Sequence, residues 1–163
     1  LKDSIETLFT NLPLVFAMLS ITGLLMIFSR FLKSSGKEIS SKSAFIIGCA
    51  QAMAIMPGIS RSGSTIFTGM ALGIDREVVA RFSFIMSLPA ILGAAVLQLG
   101  GLVQEPPSAE MFIHVGAGTL ASAVSGYFAI VLLLDIVRKN RLQWFGYYCL
   151  LLSISGFIYL AVT

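Results

Sequence analysis

The chain has 163 residues, of which 56% are hydrophobic and only 12% charged, and its mean hydropathy is +0.91. Soluble domains carry about 25% charged residues, so this composition excludes an ordinary water-soluble domain and specifies an integral membrane protein. The formal charge of +3 does not point to nucleic acid, because most basic residues sit in short loops beside apolar runs, where they set orientation in a membrane.

A membrane-spanning helix needs about 20 mostly apolar residues, and four segments meet that test, at 12–32, 78–99, 111–137 and 144–162. Lys2 stands before the first of them with no small-residue cleavage pattern after it, so no cleavable signal is expected. A fifth apolar run, 44–56, would reach only about 20 Å as a helix, too short for a hydrocarbon core of about 30 Å. Pro57 and Gly58 stop it, and the polar stretch PGISRSGST (57–65) leads to a second short apolar run, 66–74. Two half-length helices joined at a polar tip predict a re-entrant hairpin over 44–74 that returns to the side it came from. The fold class is therefore all-α, a polytopic membrane helix bundle with one re-entrant hairpin, forming a single membrane domain over 1–163.

Loop charges give the same topology. Arg30, Lys33, Lys37 and Lys42 precede the hairpin, Arg76 follows it, and Arg138, Lys139 and Arg141 join the last two spans, whereas 101–110 carries Glu105 and Glu110 with no basic residue. All strongly basic loops share one side only if the hairpin does not cross, which puts its tip at membrane depth, reached from the cytoplasmic side. Gly118, Ser122 and Gly126 form a small-xxx-small face that favours close helix packing and permits association with a second copy.

Backbone that leaves helical geometry at membrane depth must be buried in protein or line a wet cavity. Arg61 at such a depth costs about 2.5 to 3.5 kcal/mol on insertion scales, and no acid in the apolar segments is placed to pair with it. Around it stand Ser60, Ser62, Ser64, Thr65 and the start of the second half-helix, a set of donors that suits phosphate oxygens. Gly58 and Gly63 would let backbone approach a ligand closely. A plain structural role, with Arg61 bonding neighbouring carbonyls, is the competing reading.

PGISRSGST, preceded by AQAMAIM and followed by REVVARFSFIMSLPAILGA, resembles the second signature region of the undecaprenyl-diphosphate phosphatases, also called bacitracin-resistance proteins. The resemblance implies a multi-pass enzyme of the bacterial plasma membrane, built from two inverted repeats. Its reaction removes the terminal phosphate of a C55 polyprenyl diphosphate to recycle the lipid carrier of cell-wall synthesis. It also implies that Ser60, Arg61 and Thr65 belong to the active-site motif of the second repeat. Gly58, Ser62, Gly63 and Ser64 flank them as substrate-binding candidates, and a divalent cation, magnesium or calcium, takes part. The first repeat's paired-glutamate motif has no match here, so the metal's ligands are not expected in this chain, which looks like the later part of such an enzyme.

Two further candidates lie outside the motif. Gln51, six residues before Pro57, reads either as a ligand for phosphate or metal-bound water or as an interhelical hydrogen bond. Arg81 reads as an arginine snorkelling to the interface or as a second phosphate contact. Ser87 and Pro89 suggest a helix kink, while Cys49, Cys149 and the lone His114 read as structural. The expected partners are the polyprenyl diphosphate and membrane lipids. A lipid or anion transporter of inverted-repeat architecture is the alternative.

Overall fold

In a computed structural model the described residues are 10–104 and 109–162. Among them lie six α-helices: α1 Leu12–Phe28, α2 Ser41–Met53, α3 Arg61–Ala71, α4 Arg76–Gln104, α5 Ala109–Arg138 and α6 Gln143–Val162, with a short 3-10 turn Ser29–Phe31 after α1. Four spans are long and apolar enough to cross a membrane: Leu12–Phe31, Arg76–Leu97, Ile113–Arg138 and Gln143–Val162. Large apolar side chains such as Leu92, Leu97, Phe128 and Leu151 stand exposed along them, as side chains facing lipid do. This is a multi-pass membrane protein.

The expected hairpin is α2 and α3, but each half starts earlier than the hydropathy places it. α2 begins at Ser41 instead of 44 because Ser40 and Ser43 form a capping box, with the Ser43 amide donating to Ser40 Oγ at 3.3 Å and the Ser40 amide donating to Ser43 Oγ at 2.8 Å. α3 begins at Arg61 instead of 66, because Ser60 caps it by accepting the Gly63 amide at 3.1 Å. A polar residue can open a helix that an apolar window would start later. The acidic loop expected at 101–110 is likewise shorter, since α4 continues as helix to Gln104. Positions 1–9 and 105–108, the latter holding Glu105, lie outside the described residues.

Both ends of the hairpin are tied together at its base. The Ser35 amide donates to the Gly73 carbonyl at 2.8 Å, Lys37 pairs with Ile74 in a parallel bridge, and Arg76 reaches the Leu32 carbonyl at 3.3 Å. α3 stops there in a Schellman motif: Gly73 takes a φ of +86° while its amide bonds Met70 and the Ile74 amide bonds Gly69. The chain therefore leaves where it came in. Glu77 at the start of α4 holds both Arg81 and Arg138, which brings the end of α5 to this same basic face.

Packing among the described residues does not use the predicted small-residue face. Gly118 and Gly126 have no atom within 4 Å of a built Cβ, and α5 joins the core through Val137 with Leu133 and Leu134 at its last turns. The close approach is between α1 and α6: a Cβ on Gly146 would lie 2.6 Å from the Gly23 carbonyl oxygen, and one on Gly156 would strike the Phe16 ring. Ser153 adds a buried link, donating to the Phe16 carbonyl at 2.7 Å and pairing with Ser20 at 2.6 Å. Without a hydrophobic force between helices in lipid, such small-residue contact and hydrogen bonding hold them together. The core of Met26, Ile47, Ile66, Met70, Val79 and Val137 gathers around the hairpin.

Gly146→Leu should force α1 and α6 apart and cost about 1–3 kcal/mol or more. Gly118→Leu, with open space around it, should leave the unfolding midpoint of this chain in detergent unchanged.

Candidate active site

The tip is a built turn. Met56, Pro57, Gly58 and Ile59 form a type II turn, closed by the Ile59 amide donating to the Met56 carbonyl at 3.2 Å, with Gly58 at φ +94°. Proline presets the first central position and only glycine takes the second without strain. The room left by Gly58 is filled by α1, since a Cβ there would strike the Val15 carbonyl and lie 3.0 Å from Met18 Cβ. A Cβ on Gly63 would meet Ser60 at 3.0 Å and Met26 at 3.1 Å. Both glycines thus make space for protein.

One side chain of α1 secures the turn. Thr22 Oγ1 donates to the Gly58 carbonyl at 2.9 Å and accepts the Ser60 amide at 3.0 Å. Thr22 lies at the midpoint of the 20-residue span Leu12–Phe31, about 15 Å from either end at 1.5 Å per residue. The tip is therefore level with the middle of that span.

From this frame the donors divide into engaged and free. Ser60 Oγ accepts the Gly63 amide at 3.1 Å, which leaves its own hydrogen available to an acceptor. Thr65 is fully buried and its hydroxyl lies 3.1 Å from the Arg61 carbonyl, 3.0 Å from the Ser62 carbonyl and 2.5 Å from Ser83 Oγ. It braces the first turn of α3 against α4. Ser64 is buried with it.

Arg61 makes no ion pair among the described residues and is exposed to the clefts beside the tip. One, of about 320 Å³, is lined by Arg61, Ser62, Ser83, Phe84 and Ser87, and a second, of about 410 Å³, continues from Arg61 along Ala90, Ile91, Ala94 and Ala95. On the other side of Ser62 an apolar cavity of about 200 Å³ lies against Ser60, Thr22, Met26, Leu133, Phe145 and Cys149. Ser62 is common to both sides. The Arg61 and Ser62 amides open α3 ahead of the capped Gly63, so the positive end of the helix dipole lies at the tip.

The structure thus brings together Ser60, Arg61, Ser62 and, beneath them, Gly58, Gly63, Ser64 and Thr65. It does not bring in Arg81, which is held by Glu77 at 2.6 Å in the charged cluster at the start of α4. Gln51 stands on α2 with Oε1 buried and without a hydrogen-bond partner, and it is not among the residues lining the clefts around Arg61. Ser87 donates to the Phe84 carbonyl at 2.7 Å while lining the cleft, and α4 runs through Pro89 without interruption. Thr22 and Ser83 were not signalled by the motif. Their only sequence sign is a hydroxyl inside an apolar span, a position that normally faces protein.

No group of three His, Cys, Asp or Glu side chains among the described residues could hold a metal ion. A tip made of a guanidinium, hydroxyls and a helix N-terminus is a donor set, which suits an anion and repels a cation. The described residues do not fit a divalent cation, and no step is assigned to one.

Four spans with a short helical hairpin among them, whose tip opens on clefts beside Arg61, define a multi-pass membrane protein. The chain belongs to the bacitracin resistance protein BacA family, whose pattern it matches over residues 1–155. It is 44% identical over 161 residues to an undecaprenyl-diphosphatase of Methanothermobacter thermautotrophicus, covering 94% of this chain and 87% of the relative. Similar proteins of the same name are those of Halothermothrix orenii, 41% identical over 94% of this chain and 60% of the relative, and Parabacteroides distasonis, 43% identical over 99% and 61%. The chain spans about 60% of the length of these last two.

Removing the brace tests the frame. Thr65→Val should cost about 1–3 kcal/mol by leaving the buried Ser83 hydroxyl unpaired, and Ser83→Ala about 0.5–1.5 kcal/mol, since Thr65 keeps its carbonyl partners. The double variant should cost less than their sum, because the two hydroxyls share one bond; unfolding midpoints of all three measure it.

Proposed function

We propose that this chain supplies the second-hairpin half of the active site of a polyprenyl-diphosphate phosphatase, which hydrolyses the terminal phosphate of a C55 polyprenyl diphosphate in the plasma membrane. The observation that carries the reading is Arg61: a guanidinium without a counter-ion among the described residues, at a turn level with the middle of a span, opening on a cleft lined with hydroxyls. The name undecaprenyl-diphosphatase, carried by relatives of 41 to 44% identity, supports a phosphatase over a transporter.

The proposed roles follow from which groups are free. Arg61 grips phosphate oxygens through its planar fork. Ser62, which lines the cleft beside Arg61, donates its hydroxyl hydrogen to the same group, while Ser60 caps the helix that presents both. The Arg61 and Ser62 amides meet the charge that develops on the transferred phosphoryl as the anhydride bond breaks. Thr65, with its hydroxyl committed to the frame, keeps those donors aimed. The isoprenoid chain stays in apolar surroundings beside the cleft. A general base and any metal ligands must come from beyond the residues described around the tip.

The test is inorganic phosphate released from a polyprenyl diphosphate in detergent, using the protein produced at the full length of its gene. Arg61→Lys keeps the charge and loses the fork, and should lower kcat by about 100-fold, the scale for losing a preorganised donor. Release near the wild-type rate by that variant would overturn the clamp. No release by the wild-type protein would overturn the phosphatase reading itself.

A further inference from the structure

We propose that Thr22, on a span that carries none of the signature residues, is a positioning residue for the tip, and that its hydroxyl sets the direction of the donors at Ser60, Arg61 and Ser62. The inference rests on the phosphate site proposed above. Thr22 is 3% exposed and lines neither of the clefts that open at Arg61. Its hydroxyl is used in both directions, as donor to Gly58 O at 2.9 Å and as acceptor from Ser60 N at 3.0 Å.

Those two peptide groups flank Ile59, at the point where the chain passes from the type II turn into the cap of α3. The turn bond uses Ile59 N and Met56 O, and the cap uses Ser60 Oγ and Ser60 O, the latter taking the Ser64 amide at 2.9 Å. Gly58 O and Ser60 N have only Thr22 among the described residues. Losing the hydroxyl therefore leaves both peptide groups without a protein partner. The Ser60 amide lies one peptide before the Arg61 amide, so a rotation that frees it turns the opening of α3 away from the cleft. A misplacement of about 1 Å at a reacting centre costs on the order of 100-fold in rate.

The experiment compares Thr22→Val, Thr22→Ser and Ser153→Ala in the full-length protein. Ser153 is also fully buried, bonds to α1 at Ser20 and Phe16, and makes no hydrogen bond to a residue of the tip. All variants are measured for unfolding midpoint, for kcat and KM of phosphate release, and for binding of inorganic pyrophosphate by calorimetry. Thr22→Val and Ser153→Ala should both lower the midpoint. Only Thr22→Val should lower kcat, by about 100-fold with KM little changed, and Thr22→Ser, which keeps the hydroxyl, should restore most of the rate. If valine does not fold, Thr22→Cys, a weaker donor of similar size, should give a partial loss of kcat. Equal kcat losses for Thr22→Val and Ser153→Ala, or no recovery with serine, would overturn the inference. If no variant releases phosphate but Thr22→Val alone weakens pyrophosphate binding, the positioning role holds and the phosphatase reading falls.

Discussion

A polypeptide that breaks its helix halfway through a bilayer has to satisfy its own peptide groups, because nothing around it will. Here the break at Met56–Ser60 is closed by a type II turn, by the Ser60 cap and by the Thr22 hydroxyl. These three devices account for the carbonyl of Gly58 and the amides of Ile59, Ser60 and Gly63. That closure fixes the pose of the first turn of α3, and with it the position of everything the signature motif contributes.

The rest of the fold serves to hold α1 where the turn needs it. α1 meets the tip at Val15, Met18 and Thr22 on one side and α6 at Gly23 and Phe16 on the other. The glycines at 58, 23, 146 and 156 are all places where a side chain would collide with a neighbour. Their spacing in the sequence is irregular because each answers to a different partner. At the other end, the bridge between Lys37 and Ile74 and the Glu77 cluster lock the hairpin base to α4 and α5. The hairpin is fastened at its tip by hydroxyls and at its base by backbone pairing and charge.

What could be read from the sequence was what depends on one segment at a time. Hydropathy and length locate the four spans, a thirteen-residue run is too short to cross, and Pro57-Gly58 marks the turn. Capping shifted the hairpin boundaries because Ser40 and Ser60 open helices through local hydrogen bonds that hydropathy does not register. The regular spacing of Gly118, Ser122 and Gly126 on α5 does not mark the close contact among the described residues, which pairs Gly23 with Gly146 across 123 positions. The site divides in the same way. Ser60, Arg61 and Ser62 are adjacent and legible, while Thr22 and Ser83 reach the motif only through the packing of α1 and α4 against α3.

The distribution of satisfied and unsatisfied groups around the tip is itself informative. Thr22, Thr65 and Ser83 are buried and bonded, so the layer beneath the motif is closed. Immediately above it, Arg61 has no carboxylate partner among the described residues, although Glu77 a few turns away takes two arginines at once. Had the chain needed only a neutral plug at this depth, an apolar residue would have cost less than a guanidinium. A completed frame that presents an unpaired positive charge and the Ser62 hydroxyl toward a cleft is preorganised: its reorganisation has been met in folding, so for the proposed reaction the interaction with an incoming anion would be left to favour the transition state. On the proposed function, the arginine would recover its cost when a phosphate docks, and the hydroxyl layer below would keep that charge aimed.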